Sequence, residues 1–368
     1  MKIGVDMHVL NGLYQGSRRH LENIYSAARE MDTKNDYFFF VNDPDKISKE
    51  WKQRGKILSF NAKSKFVRLI FSAPTASRRE KLDVFHFQYI APIRSSCPVV
   101  LTVHDVLFET HPQFFPQSFV IRSKALVRWS SKKSAHIFTV SNYCKTKIQE
   151  IYKIPDDKIS ITSNAADFEM FHPNGSMESK RLIYNKWGIS NFMLTIGRLE
   201  PRKNHITLLK AYSMLKERGI DIPQLVIVGQ RDFGYQDIFK EIAKKKLEHS
   251  VTILEKVDDE WIAHLYRSAL FFIYPSYAEG FGIPPLEAMA CGCPVISSDT
   301  TALPETIGKA GLFLDPYNAE DMAEKMKQLI EADSLRSRLS GLGVSQARKF
   351  SWKESAKALL AGLGKARN

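Results

Sequence analysis

The stretch Tyr274-Pro-Ser-Tyr-Ala-Glu-Gly-Phe-Gly-Ile-Pro-Pro-Leu-Glu287 carries the strongest structural signal in this chain of 368 residues. It follows an apolar, strand-like run and leads into a helical pattern. Gly280 and Gly282 allow the backbone to approach a ligand closely. The prolines at 284 and 285 suit a helix start, where a backbone N–H is dispensable. The stretch therefore predicts a strand, a glycine-rich loop and a helix whose N-terminus can face an anion.

Apolar runs alternate with helical patterns on both sides of this stretch, which predicts mostly parallel sheets with helices on both faces. The predicted strands are 2–6, 37–41, 83–87, 99–103, 136–140, 192–196, 225–228, 251–254, 270–274 and 294–297. The predicted helices are 18–31, 65–81, 118–134, 142–152, 205–218, 235–248, 258–268, 283–290, 319–331, 334–349 and one from Trp352. Residues 164–180 interrupt the alternation and read as a linker. We expect two tandem doubly wound α/β domains that face a central cleft, with ligands at the C-terminal ends of the strands.

Composition narrows the class of protein. Hydrophobic residues make up 44% and charged residues 25%, which suits a globular protein and excludes a disordered chain. Four cysteines are too few for a disulfide scaffold, and Cys291 and Cys293 read as core residues. The first ten residues do not resemble a signal peptide, and no apolar run approaches a membrane span. We expect a cytoplasmic protein.

The net charge of +13 predicts attraction to phosphate groups. No motif of the nucleic-acid-binding folds is present, so we expect no nucleic-acid partner. Residues 63–81 and 122–133 mix Lys and Arg with aromatic and aliphatic residues, Trp129 among them. An amphipathic basic surface suits an anionic membrane, and an ordinary solvated face over a buried stripe is the alternative.

Charged residues cluster around two strand ends in the second half of the chain. Glu279 and Glu287 lie at the two ends of the quoted loop, where a carboxylate could bind sugar or ribose hydroxyls. Gly197 marks the exit of another strand, and Arg198 and Lys203 follow it before a helix. An Arg fork and a Lys point charge together could neutralise a diphosphate. Taken singly, the same residues could be a helix-start Glu and solvated cations.

These two segments resemble the signatures of the retaining, nucleotide-sugar-dependent glycosyltransferases of family 4, which have the GT-B fold. The resemblance rests on the Glu279-x7-Glu287 pattern and the Gly197-Arg198…Lys203 element. Weaker similarities extend it over nearly the whole chain, at 163–173, 226–229, 311–316 and 350–352. The resemblance implies an acceptor-side Rossmann-like domain over 1–170, joined by a C-terminal helix over 352–368, and a nucleotide-sugar-binding domain over 171–351.

Carried over position by position, the resemblance implies a role for each residue. Arg198 and Lys203 would bind the donor diphosphate, and Glu287 would hold ribose hydroxyls. Glu279 and the backbone of Phe281, Gly282 and Ile283 would hold the donor sugar. Val257 would contact the base.

The first half adds residues at two strand ends. His104 matches the family's cleft histidine, which contacts the transferred sugar. Asp105 either holds acceptor hydroxyls or caps the next helix. The loop Asn11-Gly-Leu-Tyr-Gln-Gly16 resembles the family's glycine-rich loop near phosphate and acceptor, although it is followed by Ser17, Arg18 and Arg19.

The implied reaction breaks a sugar–diphosphate bond, and preorganised donors at the leaving group are the largest available stabilisation. The cations and the helix start can supply it, so we expect no metal and no cofactor other than the donor substrate. The resemblance implies same-face attack by the acceptor, a glycan or lipid-linked glycan. The stretches Thr102–Val106 and Thr110–Phe115 resemble mannosyltransferases, which favours GDP-mannose over a UDP-sugar. The rival hypotheses are an epimerase or phosphorylase of the same fold and a non-catalytic sugar-nucleotide-binding subunit.

Overall fold

The computed structural model describes residues 1–11, 16–62 and 64–367. The chain divides into two compact units. The first unit comprises Met1–Asn164 and Ser351–Asn368, and the second comprises Ala165–Phe350. The sequence placed the domain boundary at 170/171, six residues later than the division in the structure.

The first unit is built on a parallel sheet in which, among the described residues, seven strands run in the order β3-β2-β1-β4-β5-β6-β7. The strands are β1 Lys2–Asp6, β2 Asp36–Val41, β3 Lys56–Ser59, β4 Val84–Gln88, β5 Val99–Thr102, β6 His136–Thr139 and β7 Ile159–Ile161. The helices are α1 Gly16–Met31, α2 Lys49–Arg54, α3 Lys65–Val67, α4 Ala73–Arg79, α5 Leu107–Thr110, α6 Gln117–Lys133, α7 Asn142–Tyr152 and, from the end of the chain, α16 Trp352–Arg367. A π-helical turn, Arg68–Ser72, joins α3 to α4.

The second unit is built on a parallel sheet of six strands, counted among the described residues, in the order β10-β9-β8-β11-β12-β13. The strands are β8 Phe192–Ile196, β9 Gln224–Val228, β10 Val251–Leu254, β11 Phe272–Tyr274, β12 Val295–Ser298 and β13 Gly311–Leu314. The helices are α8 Ser176–Trp187, α9 His205–Glu217, α10 Gln236–Lys244, α11 Asp259–Ser268, α12 Ile283–Ala290, α13 Leu303–Ile307, α14 Ala319–Glu331 and α15 Asp333–Ala347.

Both strand orders reverse direction beside a central strand, β1 in the first unit and β8 in the second, which is the arrangement of doubly wound Rossmann-like sheets. The predicted α/β class is therefore confirmed. Successive side chains of β2 show why the strands read as continuous apolar runs. Tyr37, Phe39 and Val41 enter the core on one face, and Phe38 and Phe40 enter the core on the other.

Several elements differ from the sequence prediction. The helix predicted over 65–81 is divided into α3, a π-helical turn and α4, and Pro74 lacks the N–H that a continuous helix would need there. The expected linker over 164–180 already contains the start of α8 at Ser176. The short strands β3 and β7 were not predicted, because three or four residues carry too little periodicity.

Membrane-spanning structure is not found in the described part of the chain, where no helix combines the length and the apolar character needed to cross a bilayer.

Candidate active site

The C-terminal ends of β8 and β11 bring Lys203 and Glu279 together, although they are 76 residues apart in sequence. Lys203 Nζ donates to Glu279 Oε1 at 2.6 Å and to the Tyr274 hydroxyl at 2.7 Å. Tyr274 in turn donates to the same carboxylate oxygen at 3.0 Å. Glu279 is 9% exposed, so the Lys203–Glu279 pair is buried. Its Oε1 accepts hydrogen bonds from both Lys203 and Tyr274.

Arg202 also contacts Glu279, although the sequence did not indicate it as a residue of the site. Its Nη1 lies 3.0 Å from Glu279 Oε1 and donates to the Ala278 carbonyl at 2.8 Å. Its Nη2 donates to Glu200 at 2.6 Å. Arg202 thus connects the loop after β8 to the loop after β11. Its position next to Lys203 was the available signal, but adjacency alone does not show which way a side chain points.

Electrostatics explain why this carboxylate stays ionised. Burial raises the pKa of Glu279, but the charges of Arg202 and Lys203 outweigh it and lower the pKa to about 2. Burial lowers the pKa of Lys203, and the Glu279 carboxylate opposes that change. Burial beside Glu279 raises the pKa of Tyr274, which keeps its hydroxyl protonated as a donor.

Close backbone approach shapes the loop after β8. A Cβ at Gly229 would overlap the carbonyl oxygen of Gly197, and one at Gly197 would lie 3.2 Å from the Lys203 side chain. Asn204 follows in the left-handed region (φ 59°), and its amide donates to the carbonyls of Pro275 and Pro316 at 3.0 and 2.7 Å. These contacts hold Lys203 against the end of β11.

The quoted stretch forms the loop and helix start that were predicted. Gly282 has φ 106°, and a Cβ there would lie 2.8 Å from Leu303. Within the described residues, the N–H groups of Phe281, Gly282 and Ile283 donate to no backbone carbonyl. They precede α12, where the helix dipole favours an anion.

Other predicted donor-site residues take separate positions in the same unit. Glu287 lies on α12, is 5% exposed and accepts from the Tyr266 hydroxyl at 3.5 Å. The Phe281 side chain is buried and packs edge-to-face on Phe350, so only its backbone faces the loop. Val257 is half-buried in the loop after β10.

Arg198 does not join the Lys203–Glu279 pair. Its Nη1 lies 2.6 Å from Asp232 Oδ2, in the loop after β9, and its side chain is 44% exposed. Asp232 also accepts from the N–H of Phe233 at 2.7 Å. To bind a diphosphate as expected, the Arg198 guanidinium must therefore either release Asp232 or bind both anions at once. Asp232 itself was not indicated by the sequence.

His104 and Asp105 follow β5 in the first unit. His104 Nε2 lies 2.8 Å from Gln88 Oε1, and its ring packs edge-to-face on His20 at 4.9 Å. Burial, with the charges of His20 and His86, lowers the pKa of His104 well below its ordinary value, so the ring is neutral at pH 7. Asp105 Oδ1 accepts from the N–H of Leu107 at 3.0 Å, which is a helix-start contact for α5.

The glycine-rich loop of the first unit is only partly described. Gly12, Leu13, Tyr14 and Gln15 lie outside the described residues, and Gly16 is exposed at the first position of α1.

In residues 1–11, 16–62 and 64–367, no three His, Cys, Asp or Glu side chains are placed to hold a metal ion. Asp43 and Asp45 have the Asp-x-Asp spacing, and Asp43 caps the turn at Pro44–Lys46 by accepting from the N–H of Asp45 at 3.1 Å.

Comparison with solved structures defines the class of fold. A sucrose-phosphate synthase from Thermosynechococcus elongatus superposes with a TM-score of 0.82 at 18% identity, over 98% of this chain and 97% of that one. HepE of Anabaena, in complex with UDP and glucose, superposes with a TM-score of 0.76 at 18% identity, over 99% of each chain. The fold is the GT-B fold of glycosyltransferases.

Sequence comparison then gives the family. Residues 14–170 match the family described as Glycosyltransferase Family 4, and residues 178–343 match the one described as Glycosyl transferases group 1. The chain belongs to the group 1 glycosyltransferases of family 4. O-antigen chain mannosyltransferase B of Escherichia coli is 34% identical over 256 residues, which are 69% of this chain and 66% of that protein. A serotype-specific mannosyltransferase of the same species also matches, and the aligned residues cover 28% of that protein's length.

Proposed function

We propose that this protein transfers mannose from a nucleotide sugar to a glycan acceptor during assembly of a cell-surface polysaccharide or lipid-linked oligosaccharide. The buried Lys203–Glu279 pair beside the start of α12 carries the proposal, because it sets a cation and a sugar-binding carboxylate at the C-terminal end of β8. The matched relative named as an O-antigen chain mannosyltransferase supports mannose and a polysaccharide acceptor.

Stabilisation of the leaving diphosphate is the chemical task of the second unit. Lys203, Arg198 and the N–H groups of residues 281–283 are the donors that we assign to it. Together they can offset the charge that develops on the diphosphate, so the proposed reaction uses no metal. Glu279 and Glu287 are assigned to hydroxyls of the donor sugar and ribose.

The stereochemical course that we propose is retention. No carboxylate is assigned as a nucleophile, so the acceptor would attack from the face that the diphosphate leaves. In the first unit, neutral His104 can accept from or donate to a sugar hydroxyl, because an imidazole has one donor and one acceptor nitrogen. Asp105 is assigned to the acceptor side, in addition to its helix-start contact.

Donor identity has two candidates. The matched mannosyltransferases favour GDP-mannose. A UDP-sugar is the alternative, because HepE, which shares the fold, was solved with UDP and glucose. Thermal stabilisation by GDP, UDP and ADP and by their sugars tests both at once. A shift with GDP compounds alone supports GDP-mannose, one with UDP compounds replaces the donor, and no shift with any nucleotide overturns the enzyme proposal.

Removal of the leaving-group cations is the mutational test. Arg198→Ala should lower transfer between about tenfold and 10³-fold, since one preorganised donor is typically worth about 10²–10³ in rate. Lys203→Ala should lower it at least as much, and its melting temperature must be measured because Glu279 loses a buried partner. Lys210→Ala, on an exposed position of α9, is the matched control. Unchanged turnover in Arg198→Ala would remove that residue from the leaving-group site. Chelation by EDTA should leave the wild-type rate unchanged.

Contact with an anionic membrane from the cytoplasmic side is part of the proposal. Phe66, Phe71 and Ile121 are 67%, 65% and 64% exposed on the basic surface of the first unit. Lys133 lies over the ring of Trp129 at 5.0 Å and donates to the Ile93 carbonyl at 3.2 Å. Exposed apolar side chains among cations suit peripheral binding to acidic lipid.

A further inference from the structure

Arg68 is a buried cation whose surroundings the proposed reaction does not use. It begins the π-helical turn, a feature that is frequent at functional sites, and is 5% exposed. Its nearest anion is Asp6 at the end of β1, with 3.5 Å between Nε and Oδ2, which is too long for a good hydrogen bond. In the described part of the chain this Nε has no hydrogen-bond partner. The N–H groups of a buried guanidinium normally all donate hydrogen bonds, so an acceptor for the Arg68 Nε is missing.

Asp6 cannot serve as that acceptor alone, because His8 shares it. Asp6 Oδ1 accepts from the backbone N–H of His8 at 3.1 Å and lies 2.9 Å from the His8 ring nitrogen Nδ1. Burial raises the pKa of Asp6, but His8 and Arg68 outweigh it and hold the pKa below its ordinary value. The carboxylate is ionised, and one negative charge serves several donors.

Two further cations lie beside this pair. Lys65 precedes Arg68 by one turn, and its carbonyl accepts the Arg68 N–H. Lys65 and Arg122, which lies on α6, are both exposed, but partial desolvation and then repulsion by Arg68 and Arg122 lower the pKa of Lys65, and Asp6 opposes them. Neither Lys65 nor Arg122 makes an ion pair with any residue that the structure describes. The Arg68 cluster comprises the buried Asp6–Arg68 pair, Lys65 beside it and Arg122 beside Lys65, so it holds three cations and one carboxylate.

The chemistry of this cluster fits a phosphate or diphosphate. Two guanidinium forks and an ammonium can engage several phosphate oxygens, and an anion would relieve the repulsion among them. The cluster lies at the C-terminal end of β1, the edge at which doubly wound sheets bind ligands. Phe66 and Ile121, each next to a cation of the cluster in sequence, are exposed and suit an apolar group attached to the anion.

We propose that the Arg68 cluster binds the phosphate group through which the glycan acceptor is attached to a lipid carrier. This inference rests on the proposed function, which supplies the acceptor. A headgroup in a flat bilayer is the other source of the same chemistry. We assign the carrier phosphate because Lys65 and Arg122 are exposed but Arg68 is buried, so only an anion that leaves the lipid surface can engage all three cations.

Lysine acylation tests occupancy of the cluster without any turnover. The wild-type protein is treated with an N-hydroxysuccinimide ester at constant ionic strength, with and without inorganic pyrophosphate, and modification is followed by peptide mass spectrometry. We expect pyrophosphate to slow modification of Lys65 at least threefold and to leave modification of Lys34, an exposed lysine away from the basic surface, unaffected. Equal rates at Lys65 in both conditions would overturn the site. This readout stands even if no sugar is transferred, so failure of the site and failure of the proposed function are distinguishable.

Two double variants then identify the source of the phosphate. Lys65→Gln/Arg122→Gln removes two cluster cations, and Lys34→Gln/Lys52→Gln removes two exposed cations of the same unit, away from the basic surface, as the matched control. Both are titrated with phosphatidylcholine vesicles that contain either a polyprenyl diphosphate or phosphatidylglycerol. We expect the cluster variant, relative to the control, to lose about tenfold more affinity for polyprenyl diphosphate vesicles than for phosphatidylglycerol vesicles. An equal loss on both vesicles, or on neither, would overturn the carrier assignment.

Transfer kinetics provide the last arm. With a diphosphate-linked acceptor, the cluster variant should show a KM raised about tenfold, against less than twofold for the control. An unchanged KM would contradict acceptor binding by the cluster.

Discussion

At the scale of single residues, Arg202 shows how one side chain can organise a site. It is bonded to Ala278, Glu200 and Glu279, and the Tyr277 N–H donates to its backbone carbonyl at 3.0 Å. Its planar fork holds acceptors in fixed directions, which an ammonium cannot do. We therefore regard Arg202 as a positioning residue for Glu279 and Lys203.

Replacement of Arg202 by Lys tests this role. Arg202→Lys keeps the charge but cannot reach all three acceptors, so donor turnover should fall about tenfold, while Arg202→Met should lose more. Steady-state kinetics measure both. Arg218→Met is the control, because the Arg218–Glu320 pair is exposed and such pairs contribute little. Full activity in Arg202→Lys would show that only its charge matters.

At the scale of elements, α16 closes the first unit from the far end of the chain. Leu359 and Leu363 are fully buried in the same core as Leu21 of α1. Ser355 donates to the Ser163 carbonyl at 2.7 Å. Gly362 allows the helix to lie against β6, where a Cβ would overlap the Phe138 ring and lie 2.9 Å from His136.

Two glycines of α16 form a matched pair for mutation. Gly362→Ala should destabilise the protein by about 1–3 kcal/mol, because it overpacks the contact with β6. Gly364→Ala should stabilise it by about 0.4–1 kcal/mol, since nothing lies within 4 Å of the added methyl group. Urea unfolding followed by circular dichroism measures both. The same sign of change in the two variants would contradict this packing of α16.

At the scale of the whole molecule, the first unit holds more buried histidines with a lowered pKa than the second. In the first unit, burial lowers the pKa of His20 to about 4, of His86 to about 3 and of His136 to about 4. His86 is held between the Tyr25 hydroxyl at 2.5 Å and the Thr102 hydroxyl at 2.8 Å. In the second unit, His205 has a pKa lowered by burial to about 4.

These shifts predict that acid destabilises the first unit more than the second. The folded-state pKa values lie below the ordinary value of 6.5, so the unfolded chain takes up protons first and stability falls as pH drops below 6.5. Each fully buried histidine should contribute a loss of about 1.5–2 kcal/mol between pH 6.5 and 5.

Tryptophan fluorescence can follow each unit separately in urea. Trp187→Phe/Trp261→Phe leaves the tryptophans of the first unit at 51, 129 and 352, and the complementary triple variant leaves those of the second. His86→Gln should reduce the pH dependence of the first unit. The same pH dependence in both units would refute the prediction.

Local sequence was sufficient for the elements that frame the candidate site. The predicted bounds of β8 and α12 agree with the structure, and so does the glycine-rich turn before α12. Apolar runs, glycines and prolines act within a few residues, so their effect can be read without knowing the rest of the fold. The same reasoning missed α8 and treated 65–81 as one helix, because packing and the π-helical turn override local propensity there.

Partner choice among charged side chains was decided by the tertiary structure alone. Lys203 and Glu279 are 76 residues apart, Arg198 and Asp232 are 34 apart, and Asp6 meets Arg68 across 62 positions of the chain. A hydrogen bond depends on angstrom-scale distance and on direction, which only the folded sheets and loops define. The sequence therefore named most of the residues that we assign to the donor site. The structure paired them, added Arg202 and Asp232, and buried Arg68 where an anion would complete its surroundings.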